Sequence, residues 1–400
     1  MIEINGHIAP GFEAVGDAFA AAFEGLPRMG GALAIRVDGR SVIDLWAGSA
    51  DARTDRPWER ETPSVIFSCS KGLMSILVAR LAASGRVDLD GPLAALWPEF
   101  GQHGKDAVTV GDALAHRAGV PALSVDLTTE DVLDFDRVAA LLAAQEPLWT
   151  PGEAWAYHAL THGWISGEIV RRASGLAPAA AFREMADLLG ADAWLGLPPE
   201  RAGSAAHLFV GASLQGLVAQ QAARRAPGAV DWGDRAMTLG GALPPTLVGE
   251  AAGFNTPAVQ AAVIPGAGVV ATARAVAAMW SATVSETDGV RLLDDDTVIA
   301  ATRERTAGPP FFDAPAPWPR WGAGFQLDSE ARRYLGPSSF GHDGAGGQVA
   351  FADLDSRVGF SFVTNWMEAV DDHRATRIVD ALREVVASSP RAGSDRRRRA

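Results

Sequence analysis

Ser68 and Lys71 stand three residues apart in the stretch Ser68-Cys69-Ser70-Lys71, a spacing that on a helix turns both side chains to one face. A serine hydroxyl attacks a carbonyl well only when a neighbour takes its proton. An amine does so when burial or a nearby cation holds its pKa well below about 10.4. The residues behind the pair supply that burial. Between Gly72 and Leu81 seven of ten are apolar, too many for one stripe, which predicts a helix buried nearly all round. Its first turn would bring free N–H groups and partial positive charge beside Ser68, where an oxyanion develops. The competing reading of such a serine is a helix N-cap in a chance Ser-x-x-Lys match.

Two further segments weigh against chance. Pro147 to His158 sets a Pro151-Gly152 turn just ahead of Tyr157, with an apolar helical run through Ile165, Ile169 and Val170 to Gly175. Far downstream, Trp321-Gly322-Ala323-Gly324-Phe325 precedes Phe340-Gly341-His342-Asp343-Gly344-Ala345-Gly346-Gly347 and the strand-like Val358 to Val363. In this order and over about Gly31 to Trp366, the chain resembles the serine β-lactamase and penicillin-binding-protein superfamily, most closely the family VIII carboxylesterases. The resemblance implies Ser68 as acyl-accepting nucleophile, Lys71 as its proton partner and Tyr157 as the second-motif tyrosine. It places the third motif on His342-Asp343-Gly344 and the oxyanion hole on the backbone N–H groups of Ser68 and Ala345.

The departures narrow the expected chemistry. Where the lactamases commonly carry a second-motif asparagine that donates to a substrate amide, this chain has Ala159; where they carry a third-motif lysine that holds a carboxylate, it has His342. Each lost partner costs about 1–3 kcal/mol of recognition. A neutral ester, bound against apolar walls from Trp155, Trp321 and Phe340 with His342 and Gly344 lining the site, fits better than a β-lactam. The expectation is therefore a serine hydrolase of carboxylic esters, of short acyl chain, working through an acyl-enzyme. In it Lys71 and Tyr157 share the proton taken from Ser68. The alternatives are an amide-directed relative (D-aminopeptidase, amidase or weak β-lactamase), an acyl transferase, or a non-catalytic module of the same fold. No G-x-S-x-G element occurs, which removes the nucleophile-elbow hydrolases.

The expectation includes no cofactor and no metal. His158 and His162, read as i and i+4 on one helix, have zinc-like spacing but neither an intervening glutamate nor a third ligand. His116 reads as a helix-terminal residue before Gly119, and Asp343 as either an orienter of His342 or a turn residue. Cys69, the one cysteine in 400 residues, permits no internal disulfide and reads as a buried structural thiol, in keeping with a cytoplasmic location. A net charge of −13 argues against nucleic acid as a partner. The start of the chain lacks the cationic and apolar regions of a secretory signal. The most apolar stretch, Ala261 to Val284, is interrupted by Pro265, Gly266 and Arg274; it reads as a strand leading to a helix capped by Thr272 rather than a membrane span. The partner expected is a small-molecule ester.

The elements that must position these residues follow from periodicity. An amphipathic helix over Gly11 to Gly25 precedes a β-hairpin, residues 32–37 and 41–46, around Asp38-Gly39. Helical signals then dominate, including Leu93 to Phe100, Val110 to His116 and Arg137 to Ala144. Strands return near Val263 and from Phe325 to Val363, and Asp371 to Ala387 closes as a helix. The expected fold is α/β (α+β), β-lactamase-like: an antiparallel sheet flanked by helices and built from residues 1–72 and 255–388, with a mainly helical domain at 73–254 inserted. Residues 389–400, rich in arginine, are expected to be a disordered tail.

Overall fold

The computed structural model describes residues 2–224, 228, 230–369 and 371–388; the arginine-rich tail lies outside the described residues. Among these, nine strands form one antiparallel sheet that draws on both ends of the chain. Across the sheet the order is Ile4–Ile8, Arg40–Asp51, Gly30–Val37, Val358–Thr364, Gln348–Asp353, Ser339–Gly344, Gln326–Leu327 and Arg320–Trp321, with Arg56–Pro57 added beside Arg40–Asp51. The expected hairpin is present. Val37 pairs with Arg40, and Asp38 and Gly39 both take positive φ, 47° and 78°, the backbone of a two-residue turn that follows the sheet's twist. Residues Ile4–Ile8, not anticipated as a strand, pair with Ile43–Ala47. Gly6 interrupts the side-chain alternation there because a Cβ would meet the Asp44 carbonyl oxygen at 2.0 Å.

Strand alternation gives the sheet two unlike faces. Leu33, Ile35, Leu45, Phe351, Phe360 and Phe362 point to one side, where they bury the N-terminal helix Glu13–Ala21 and the C-terminal helix Arg374–Ser388. Ala32, Ala34, Ala350 and Ala352 point to the other. Small residues on that face let the helix Ala273–Val284 approach closely: a Cβ on Gly359 would lie 2.4 Å from the Ser281 nitrogen. That helix is capped as expected, with Thr272 Oγ1 accepting from the Ala275 N–H. The strand before it is short, Val269–Ala271, and begins later than Val263.

The helix Cys69–Ala83 lies between this alanine face and the helical part of the chain. Every residue from Cys69 to Ala79 is buried, as the continuous apolar run requires, so the helix crosses the boundary expected at residues 72 and 73 and one apolar cluster spans both sides of it. Thr161–Ser174 packs on it and stops at Gly175, which takes φ 78° in the left-handed region where glycine is favoured. Leu93 to Phe100 is two short 3₁₀ turns rather than one helix, divided before Pro98. No helix among the described residues is long and apolar enough to cross a membrane.

Candidate active site

Ser68 precedes the first residue of the buried helix, yet its side chain does not cap that helix. Its Oγ instead accepts a hydrogen bond from Lys71 Nζ at 3.0 Å. The residue before it, Phe67, is buried with φ 44°. A left-handed backbone costs a non-glycine residue about 1–2 kcal/mol, and the Phe67 ring is held against Phe254 with centroids 5.5 Å apart. Strain at the entry to the helix, maintained by packing, is a common mark of a functional position.

Lys71 is completely buried. Its second hydrogen bond goes to the Gly266 carbonyl oxygen at 2.8 Å, and no carboxylate among the described residues is paired with it. Desolvation therefore pulls the amine down from its ordinary value to about 7. An amine held there can lose its proton close to neutral pH, and the free form has a lone pair able to accept one.

Tyr157 lies beside both. Its ring centroid is 5.1 Å from Lys71 Nζ. Burial raises its phenol above the usual range, opposed by a hydrogen bond with Ser68, so the group stays protonated. The ring stacks on Trp321, centroids 5.6 Å apart at 23°. Ser68 is thus flanked by an amine whose pKa is drawn toward neutrality and by a phenol that keeps its proton.

Four histidines form the ground behind these groups. Nδ1 of His342 donates to the Asp343 carbonyl oxygen at 2.7 Å, which leaves Nε2 as an acceptor with no partner among the described residues. Desolvation, then the Lys71 charge, lowers His342 to about 3, so it is a neutral group where the lactamases have a cation. His116, with φ 67°, accepts the His158 N–H on Nδ1 at 3.2 Å, and its ring lies 4.9 Å from that of Tyr157. Desolvation holds His116 and His162 well below the ordinary imidazole value. His158 is not on a helix, since the helix begins at Thr161. Both of its nitrogens are taken by backbone, Nδ1 by Ala156 O and Nε2 by the Val120 N–H, which leaves no ligand atom to pair with His162.

The strand Ser339–Gly344, which leads to Ala345, packs against the segment that leads to Ser68. Cys69 Sγ donates to His342 O at 3.2 Å and Gln348 Nε2 to Val65 O at 3.0 Å. A Cβ on Gly344 would lie 2.6 Å from Ile66 O. These contacts set Gly344, just before Ala345, against Ile66 and Cys69 on either side of Ser68, and neither the Ser68 nor the Ala345 N–H has a backbone acceptor among the described residues. Burial pushes the Cys69 thiol well up, so it is a structural group.

Of the expected walls, Trp321 stacks on Tyr157 and Trp155 belongs to the same small apolar cluster, its Nε1 donating to Gly308 O. Phe340 is a correction. Its ring is 1% exposed and packs edge-on to Trp280 and Phe325, centroids 5.7 and 5.3 Å away, so it belongs to the core beneath the site. Asp343 does orient His342, but through its backbone rather than its carboxylate. Its carboxylate turns to the opposite face of the sheet from His342, toward Arg332 and Tyr334, while its carbonyl orients His342. Gly266 and His116 were not anticipated in these roles. Gly266 acts through its carbonyl, which has no signature in a side-chain pattern, and Pro265-Gly266 reads in sequence only as an interruption of an apolar run.

Known proteins resemble this chain over nearly its whole length. A family profile described as Beta-lactamase matches residues 19–383. The chain is 34% identical to the esterase/beta-lactamase LipL of Mycobacterium tuberculosis, covering 98% of this chain and 90% of that protein. Among solved structures, a family VIII carboxylesterase superposes with TM-score 0.83 at 30% identity, covering 96% of this chain and all of the other. A penicillin-binding protein homologue from Caulobacter crescentus superposes with TM-score 0.83 at 32% identity over the same shares. With a match over nearly its whole length and an antiparallel sheet and helices that coincide with those of its neighbours, the chain belongs to the Beta-lactamase family.

Proposed function

We propose that this protein hydrolyses carboxylic esters by two-step acyl transfer through Ser68. The observation that carries the reading is a fully buried Lys71 amine 3.0 Å from the serine oxygen, where burial draws its pKa down to about 7. The free amine takes the Ser68 proton as Oγ bonds to the ester carbonyl carbon. The N–H groups of Ser68 and Ala345 receive the oxyanion. When the tetrahedral intermediate collapses, the bond from carbon to the alkoxy oxygen breaks. The departing alcohol takes a proton passed through Tyr157 and replaced from Lys71. Water then attacks the acyl-enzyme with the same groups in reverse order, giving the acid and free Ser68.

The ester preference rests on the polar groups that surround the site. Neutral His342 offers no cation to a substrate carboxylate, and Ala159 offers no donor to an amide. Named esterases among the relatives support the same reading. The test sets p-nitrophenyl acetate and butyrate beside a chromogenic cephalosporin with the purified protein. Ester turnover should exceed cephalosporin turnover by at least about 30-fold in kcat/KM, the combined effect of two lost recognition contacts at the low end of about 1 kcal/mol each. Cephalosporin turnover equal to or above that of the esters would reverse the assignment.

A further inference from the structure

The turn that carries Ala345 is clamped from behind by a buried ion pair. Residues Ala345, Gly346 and Gly347 connect the paired positions Gly344 and Gln348. Arg374, at the first turn of the C-terminal helix, donates through Nη2 to the Gly346 carbonyl oxygen at 2.9 Å. The same guanidinium grips Asp372 with both arms, Nε to Oδ1 at 2.8 Å and Nη2 to Oδ2 at 2.7 Å. Nη1 rests 3.4 Å from Met29 Sδ. The two charged side chains are only 9% and 7% exposed, so the arginine is desolvated and its geometry is set by these partners.

The turn accommodates the clamp by lacking side chains. Gly346 has φ 81° and a Cβ there would lie 2.6 Å from Met367; Gly347 has φ 96° and a Cβ would lie 2.2 Å from Asp372 Oδ2. Both glycines thus press backbone directly on the elements behind them. From the sequence, Arg374 is one arginine near the start of the expected C-terminal helix; its target is the carbonyl of the residue that follows a proposed oxyanion donor.

From this arrangement, and resting on the acyl-enzyme reading above, we infer that Arg374, held by Asp372, is a positioning residue that fixes the Ala345 N–H for the transition state. A serine oxyanion hole works because its donors are already oriented when charge develops. A turn with two glycines has no side-chain packing of its own to hold that orientation. The guanidinium supplies the missing constraint without touching substrate. Its loss acts on the tetrahedral state and leaves ground-state binding nearly unchanged.

The experiment compares wild type, Arg374→Met and Arg374→Lys in the full chain, after a fluorophosphonate has been shown to label wild type at Ser68. The readouts are kcat and KM for p-nitrophenyl butyrate, inhibition by phenylboronic acid, whose tetrahedral serine adduct uses the same donors, and the folded fraction. Arg374→Met should lower kcat by about 10- to 100-fold and weaken phenylboronic acid by a similar factor, with KM within about twofold. Arg374→Lys, which keeps one donor and the charge, should fall between the two. Turnover within about twofold of wild type, or a loss that matches a fall in folded fraction, overturns the inference. If Arg374→Met does not fold, Arg374→Lys decides by the same split between kcat and KM. Absence of Ser68 labelling in wild type would bring down the acyl-enzyme reading and the clamp with it, whereas intact labelling with unchanged variants brings down the clamp alone.

Discussion

The chain contains two lysines, Lys71 and Lys105, and all its other basic side chains apart from histidine are arginines. Both lysines are completely buried, and each donates to one backbone carbonyl, Lys71 to Gly266 at 2.8 Å and Lys105 to Gln145 at 2.6 Å. Desolvation lowers both, Lys71 to about 7 and Lys105 to about 8. The difference lies in what else they touch. Lys71 faces the Ser68 hydroxyl and the Tyr157 ring; Lys105 faces the Phe100 ring, centroid 5.2 Å away, with the charge of Glu146 pulling its pKa back up. A depressed amine is thus not in itself a catalytic base. On the proposed mechanism it becomes one when a hydroxyl lies within reach and no carboxylate restores its charge. Arginine serves neither purpose, since it does not deprotonate in proteins.

That contrast is open to direct attack. The largest effect falls on the serine: Ser68→Ala should reduce ester turnover by about 10⁵-fold and abolish fluorophosphonate labelling, and labelling that persists would place the nucleophile elsewhere. Lys71→Met should cost about 10³- to 10⁴-fold in kcat/KM while leaving a folded protein. Tyr157→Phe keeps the stacking on Trp321 and removes only the proton path, and about 10- to 100-fold is expected; a loss as deep as that of Lys71→Met would instead make the phenol the principal base.

The smallest expected effect is the one that separates the lysines. Lys105→Met should leave kcat/KM within about twofold of wild type. Its signature lies in stability. The folded pKa of Lys105, about 8, is below the unfolded value of about 10.4, so between these pH values the unfolded chain binds more protons and wild type gains stability as pH rises. Lacking this term, Lys105→Met should lose ground relative to wild type through that window in denaturant melts at stepped pH. A constant difference across the window would mean that Lys105 titrates normally.

Much of this was legible beforehand for local reasons. The unbroken apolar run after Lys71 required a helix buried all round, Asp38-Gly39 required a turn with positive φ, and Thr272 and Gly175 marked helix ends by their chemistry. What escaped depends on contacts between segments distant in sequence. Phe340 alternates correctly for a strand, but which layer receives its ring depends on Trp280 and Phe325. The Gly266 carbonyl and the Gly346 carbonyl have no side chain to announce them. His116 looked like a helix end because it is one; that its Nδ1 reaches the backbone N–H of His158, next to Tyr157, is set by packing of the segments near 116 and 158.

The central claim is that the free Lys71 amine takes the Ser68 proton, and the pH dependence of acylation tests it most directly. With p-nitrophenyl acetate in stopped flow, the acylation rate should rise with pH along a single limb of apparent pKa about 7 and stay level to about pH 9, since Tyr157 keeps its proton throughout that range. The limb should vanish in Lys71→Met. A rate that is flat from about pH 5.5 to 9, or a limb near 7 that survives Lys71→Met, would contradict the account.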